Sequence, residues 1–326
     1  MEMFPIVFAK NLIKNEFDFL FKKAYIQMLS YQGVMMKFTK MQGIGNDYIY
    51  VNCLEESVEQ PENLARAISD RHFGVGADGL ILIEPSEIAD VKMRIFNADG
   101  SEAEMCGNGI RCVAKYAYEH KLAESGGSLA VPGQATFPAS LNIETGNGIL
   151  TVGLLTDDND IVSRVCVNMG QPVLTPREIP VNLDSERIVE YPIEILGQEL
   201  LMTCVSMGNP HAVFFCDNVE LIELEKMGPA IENHPLFPNR INVHFVNINT
   251  PKEFTMRTWE RGSGITLACG TGACACCVAS VITGRQEHLC TAHLPGGDLN
   301  LNWCKEDNCV YMTGPAAEVF QGIWPD

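Results

Sequence analysis

Positive charge is scarce in this chain. Against 41 Asp and Glu it carries only 23 Lys and Arg, a formal net charge of −18 at pH 7. No basic field exists to hold phosphates, which excludes non-specific nucleic-acid binding and attachment to anionic membranes. A long apolar run is also missing. The longest stretch without a charged residue, 262–284, is rich in Gly, Ser, Thr and small residues and lacks the Leu/Ile/Phe density of a membrane span. The cysteine pattern of a stapled secreted domain is absent too. Thirteen is an odd number, and the cysteines spread from Cys53 to Cys309. That distribution reads as a reducing, cytoplasmic compartment with most thiols packed as small hydrophobes. There is no G-x-S-x-G elbow and no Walker A loop, and no H-x-x-x-H pair among the seven His.

What is present is an ordinary globular composition, 46% hydrophobic and 20% charged over 326 residues. That length predicts two domains at about 150 residues each. Residues 1–35 stand apart as an extension. Glu2 and the lack of a basic n-region make Met3–Ala9 a poor secretory signal, and the absence of Arg argues against a transit peptide. The run Asn11–Leu29 could form an amphipathic helix with Leu12, Phe19, Tyr25 and Ile26 among its apolar residues. The first ordinary strand, MKFTKMQ, begins at Met36.

From there short strands alternate with a few helices. DYIYVNC (47–53), GLILIEP (79–85) and VKMRIFN (91–97) read as strands. Residues 59–74 read as a helix with Pro61 near its start and Gly74 at its end. Residues 141–155 read as a hairpin turning at Gly146-Asn147-Gly148. A second set of strands follows: ELLMTCVSM, HAVFFC, INVHFVNI and EFTMRTWE. HLCTAHL and DLNLNW form a further hairpin. The loop at 170–180 marks the preferred domain boundary.

One feature recurs. Cys106-Gly107-Asn108-Gly109 opens a run with Ile110, Val113, Ala114 and Ala117 at helical spacing. Cys269-Gly270-Thr271-Gly272 opens another, ACACCVASVI, which is apolar all round and so must be buried. Each is preceded by a strand and a polar loop. This is a cryptic duplication, with one Cys at a helix N-terminus in each half. Two other signals carry less. Gly74-Val75-Gly76-Ala77-Asp78-Gly79 matches G-x-G-x-x-G, but a helix precedes it and a strand follows, the reverse of a dinucleotide site. Cys274 and Cys277 form a C-x-x-C without the second pair that a structural zinc site needs.

Helix N-termini favour anions by about 0.3–1 kcal/mol, and up to ~2 when partly buried. At 1.36 kcal/mol per pKa unit, the dipole alone could bring a thiol from about 8.5 to somewhat above 7, with burial pushing the other way. Two thiols facing each other across a pseudo-twofold axis suit a stereoinversion. One thiolate removes a proton from one face of a chiral carbon, and the opposing thiol returns one to the other face. A substrate carboxylate between the two helix starts would be held by open backbone N–H groups.

At these residues the sequence resembles the diaminopimelate epimerases, which work without pyridoxal phosphate. The resemblance runs from Met36 to the C-terminus through KMQGIGNDYIYV, RHFGVGADGLILIE, RIFNADGSEAEMCGNGIRC, VSMGNPHAV, WERGSGITLACGTGACA, LPGG and YMTG. It implies an α+β (α/β) fold of two pseudo-symmetric lobes, each a curved, mostly antiparallel sheet wrapped around a central helix. The lobes would be 36–169 with 311–326, carrying Cys106, and 170–310, carrying Cys269. It implies that Cys106 and Cys269 are the acid/base pair, assisted by His211 and Glu260. Substrate contacts would come from Asn46, Asn97, Asn209, Asn242, Glu260 and Arg261, with backbone donors at Gly107, Asn108, Gly270 and Thr271. It implies no metal and no cofactor, a small amino-acid substrate, and a homodimer. Two positions depart from the pattern: Gly79 stands where some relatives carry Gln, and Ile265 where an acidic residue is common. The competing readings are a proline racemase-like enzyme, which needs no distal head-group site, and a non-catalytic thiol or metal-buffering protein.

Overall fold

The structure is a computed structural model that describes residues 35–134 and 136–325. The extension and its expected helix lie outside the described residues, apart from Met35. By its contacts the chain divides into Phe38–Gly322, which holds the site described below, and a small unit of 1–37 with 323–326. The described residues of the small unit, 35–37 and 323–325, are strand.

The described residues form eighteen strands and four α-helices, in this order. The first half holds β1 (Met35–Gly43), β2 (Asn46–Asn52), α1 (Pro61–Ser69), β3 (Gly79–Glu84), β4 (Val91–Asn97), β5 (Glu102–Ala103), α2 (Gly107–Glu119), β6 (Ala139–Thr145), β7 (Gly148–Thr156) and β8 (Val162–Asn168). The second holds β9 (Tyr191–Ile195), β10 (Gln198–Ser206), β11 (Pro210–Phe215), α3 (Leu224–Glu232), β12 (Asn242–Thr250), β13 (Glu253–Glu260), β14 (Gly264–Thr266), α4 (Gly270–Ile282), β15 (Leu289–Leu294), β16 (Gly297–Trp303) and β17 (Val310–Gly314). The last strand, β18 (Ala317–Pro325), returns to β1.

The pairing shows the duplication. In the first half β1–β2 is antiparallel, β2–β3 parallel, β3–β4 antiparallel, β4–β6 parallel, and β6–β7 and β7–β8 antiparallel. In the second half the same sequence of senses runs through β10, β11, β12, β13, β15, β16 and β17. The halves join through their equivalent last strands, β8 and β17, which pair antiparallel with Val167 opposite Met312. Equivalent strands paired antiparallel are what a twofold relation between the halves requires.

Each half wraps its sheet around one helix. α2 packs against β2, β4, β6, β7 and β8, and α4 against β10, β11, β12, β15, β16 and β17. Small residues along α4 let the sheet close in, and Ala273 through Ser280 are all buried. The one hydroxyl in that run, Ser280, donates to the Cys276 carbonyl at 2.7 Å, so nothing polar is stranded. The helix expected over 59–74 is shorter. It stops at Ser69 because Asp70 leaves helical geometry and its carboxylate accepts from the His72 and Phe73 amides. That local bond offers the backbone an alternative to another turn of helix.

All thirteen cysteines are free, and most are packed inside. Cys204 on β10 shows why. It is 1% exposed among Ile193, Met202 and Phe214, and burial pushes its thiol far above the ordinary range. A hydroxyl there would lose its water with little in exchange. Cys204→Ser is expected to cost about 1–3 kcal/mol, the penalty of an unpaired buried polar group, and more than Cys204→Ala. Urea unfolding of the two variants checks this; equal stability of Ser and Cys would contradict it.

Candidate active site

Cys106 is the N-cap of α2. Its backbone is extended (φ −139°), and its Sγ accepts from the Gly109 amide at 3.4 Å. The thiol donates to Asn46 Oδ1 at 3.5 Å. Asn46 is held in turn, its amide donating to Asp78 Oδ2 at 2.7 Å. Arg71 then ties Asp78 to Asp47, at 3.0 and 2.8 Å, and Lys40 pairs with Asp47 at 2.8 Å. A chain of charge-assisted bonds therefore fixes the amide that faces the thiol.

Cys269 is the N-cap of α4, with the same extended backbone (φ −119°). Its neighbours differ. Thr271 Oγ1 lies 3.7 Å from Sγ, and the Glu260 carboxylate, near enough for its charge to act on the thiol, accepts from Thr266 Oγ1 at 2.5 Å. Behind it two buried histidines meet. His211 Nδ1 and His244 Nε2 are 2.8 Å apart. His211 Nε2 lies 2.8 Å from Asn209 Oδ1, and His244 Nδ1 lies 3.0 Å from Thr258 Oγ1. Asn209 Nδ2 is engaged by Thr271 Oγ1 at 3.3 Å, so its oxygen faces His211. An amide oxygen only accepts, which places a proton on His211 Nε2.

The two helix starts close on one another. Asn108, from α2, donates to the Ala268 carbonyl just before α4, at 3.2 Å. Met312, from the seam strand β17, lies under both. A Cβ added at Gly107 would come within 2.9 Å of its Cε, and one at Gly270 within 3.1 Å of its Sδ. Glycine at both positions lets the backbones approach that side chain closely without pushing it aside. The first-turn amides of both helices, which have no partner within the helix, thus point into one cavity of about 390 Å³.

That cavity is lined by Cys106, Cys269, Asn46, Asn97, Asn209, Glu260, Arg261 and the backbone of Gly107, Asn108, Gly270 and Thr271. Two expected residues do not line it. Asn242 is spent on the backbone, donating to the Pro210 carbonyl at 2.8 Å and accepting from the Arg261 amide at 3.0 Å. It positions Arg261 from behind. His211 also lies behind the wall, fully buried. Of the two departures, Gly79 sits in β3 opposite Asn97, and Ile265 is an exposed residue of β14.

Burial dominates the electrostatics. It raises both thiols, against the helix-dipole expectation, and the Glu260 charge raises both further, as the second cause at Cys269 and a lesser one at Cys106. At Cys106 the Gly109 and Asn108 amides work in the opposite direction, and so does Arg111. Burial also raises Glu260, and it lowers both histidines, His244 to about 3, so both rings are neutral at pH 7.

Three contributors escaped the sequence reading. Asp78 sat in a glycine-rich turn, His244 in a strand pattern, and Arg111 one helical turn past Cys106, where a charge reads as solvated surface. Arg111 is in fact 0% exposed. It donates to the Pro315 and Gly107 carbonyls at 3.1 and 3.2 Å, and its Nη2 finds no partner among the described residues. Its equivalent on α4 is Cys274, so the duplication is broken here by a buried cation on one side only.

Comparison with known proteins decides the family. A profile of diaminopimelate epimerases matches residues 38–175 and 203–319. The chain belongs to the diaminopimelate epimerase family. The diaminopimelate epimerase of Acetivibrio thermocellus is 54% identical over 287 residues, 88% of this chain and 98% of that protein. That of Agathobacter rectalis is 51% identical over 294 residues, with the same shares covered. Among solved structures, a PhzF-family phenazine biosynthesis protein of Bacillus anthracis covers 90% of this chain and 99% of its own, with a TM-score of 0.64 at 18% identity. A probable proline racemase of Agrobacterium radiobacter covers 88% of this chain and 92% of its own, with a TM-score of 0.62 at 13% identity. These two share the fold. As a family member the chain is an isomerase that needs no cofactor.

The buried cation gives a direct test. Arg111 stabilises a negative Cys106, so removing its charge raises that thiol's pKa. Arg111→Met is expected to slow alkylation of Cys106 by iodoacetamide at fixed pH and to shift its pH profile upward, while Arg111→Lys restores most of the difference. Peptide mapping of labelled protein across pH measures this. An unmoved profile in Arg111→Met would contradict it.

Proposed function

We propose that the protein interconverts LL-2,6-diaminopimelate and meso-2,6-diaminopimelate by two-base proton transfer at one α-carbon. One thiolate, Cys106 or Cys269, takes the α-proton. The other, as a thiol, delivers its own proton to the opposite face, and the turnover ends with the charge on the second sulfur. The proton count closes with no oxidant and no electron sink.

The observation that carries this reading is the convergence of two equivalent helix starts, each capped by a Cys, on one cavity. The substrate α-carboxylate would lie across the amides of Gly107, Asn108, Gly270 and Thr271. Negative charge developing at Cα spreads onto that carboxylate. Preorganised donors of this kind are worth about 2.7–4 kcal/mol each. Glu260 would assist the Cys269 thiol electrostatically, and His211 orders Asn209 behind the same wall. Arg261, Asn97 and Asn209 would meet the distal head group, with Asn242 holding the Arg261 backbone. The guanidinium fork suits a carboxylate.

The family also supports a homodimer working in the cytoplasm, in the synthesis of lysine and peptidoglycan precursors. Thirteen free cysteines suit a reducing compartment, and among the described residues no helix is long and apolar enough to cross a membrane. The proline racemase-like reading shares the fold but has no use for the distal polar groups.

Cys106→Ala and Cys269→Ala are each expected to lower epimerisation by at least ~10²–10⁴-fold, the usual contribution of an acid–base group, with melting temperature little changed. Lysine lacks the distal carboxylate and 2-aminopimelate lacks the distal amine. Both are expected to show kcat/KM at least ~10³-fold lower, because the site's own polar groups go unpaired. Full activity in either alanine variant would overturn the two-base reading. Comparable kcat/KM for lysine would favour the broader racemase.

A further inference from the structure

We propose that His211 Nδ1, His244 Nε2 and Cys269 Sγ form an inhibitory site for one soft divalent cation of the zinc type, which silences the enzyme by tying up one of its two thiols. The three ligand atoms lie within 4.8 Å of one another, and all three residues are buried. They come from three separate elements, β11, β12 and the start of α4, so the cluster is a product of the fold and not of a sequence motif.

The donor set is borderline-soft, two imidazoles and a thiolate, which favours zinc over magnesium or calcium. Zinc–nitrogen bonds of about 2.0–2.1 Å in tetrahedral geometry place two nitrogens roughly 3.3 Å apart. The two rings stand at 2.8 Å, so they need open by only about half an ångström.

The groups behind the rings match what metal-bound histidines require. A ligating imidazole donates its other N–H to a fixed acceptor. His211 Nε2 faces Asn209 Oδ1, and His244 Nδ1 faces Thr258 Oγ1. With the site empty, one proton lies between the rings, on His244 Nε2, and the Thr258 hydroxyl donates to Nδ1. Metal entry moves that ring proton to Nδ1, where Thr258 Oγ1 accepts it. It releases one further proton, from the Cys269 thiol. The fourth position of a tetrahedral site is left to water or another exogenous ligand. Gly272 makes the approach possible, since a Cβ there would come within 2.9 Å of both His244 Nε2 and Cys269 Sγ.

Binding itself stands on this geometry; that the metal inhibits, and competes with substrate, rests on the reading of Cys269 as an acid–base group. The test is spectroscopic. The full chain, dialysed against a chelator, is titrated with Co²⁺, and Zn²⁺ is then used to displace it. One equivalent is expected, with a thiolate-to-cobalt charge-transfer band and tetrahedral d–d bands. Affinity is expected to fall at least about 100-fold in Cys269→Ala and in His244→Ala. It should fall about 10- to 100-fold in Thr258→Val, which removes only the acceptor behind His244 and keeps the test open if His244→Ala fails to fold. Absence of the band, or a band unchanged in Cys269→Ala and Thr258→Val, overturns the site. A Cys269→Ala protein that keeps the metal but loses activity overturns the site and leaves the epimerase reading standing. One that loses the metal but keeps activity does the reverse.

Discussion

Everything in this molecule depends on bringing two helix N-termini face to face inside a protein core. Partial positive charge at two such ends repels, and their first-turn amides have no partners within the helix. The arrangement is tolerable only if the fold holds the helices there and an anion completes the site. The fold does so through sheet pairing. β8 and β17, the last equivalent strands of the two halves, pair directly, and Met312 from that seam lies beneath both helix starts. The duplicated order of strands then becomes a chemical device. A twofold relation gives each face of a bound carbon its own sulfur.

Chemical equality of the two sulfurs is not part of the design. Cys106 is backed by a buried Arg and bonded to an Asn that a chain of ion pairs holds still. Cys269 has the Glu260 carboxylate and neutral histidines behind it. In an empty site burial raises both thiols. The asymmetry favours negative charge on Cys106, with the proton on Cys269, and the bound carboxylate is what both helix ends await. Net charge of −18 makes the local cation matter more, because the field of the whole chain otherwise disfavours any thiolate.

Much of this was legible in the sequence, for stated reasons. The CGxG pairs could be read because they repeat, and a repeated N-cap followed by helical periodicity has one simple structural meaning. Strands such as VKMRIFN and the hairpin at Gly146-Asn147-Gly148 follow from β-branched residues bounded by turn residues. What could not be read was non-local. The β8–β17 pairing joins strands more than a hundred residues apart, and nothing in either announces the other. Arg111 and His244 drew no reading of their own from the sequence, because burial is decided by what packs over a position from elsewhere. Asn242 was expected at the substrate, and its amide serves the backbone of Arg261 instead. The end of α1 was missed because the Asp70 carboxylate turns back on its own chain, a local bond that hydrophobic periodicity does not record.

The central claim is one base on each face, and solvent isotope tracks it most directly. LL-diaminopimelate is incubated in D₂O with the protein, and deuterium at the α-carbon is measured in product and in recovered substrate at low conversion. A thiol that exchanges with solvent and delivers to one face only puts deuterium into the meso product while recovered LL substrate stays protiated. That is the result this account predicts. Deuterium entering recovered substrate as fast as product would mean that a single base serves both faces, and it would contradict the account.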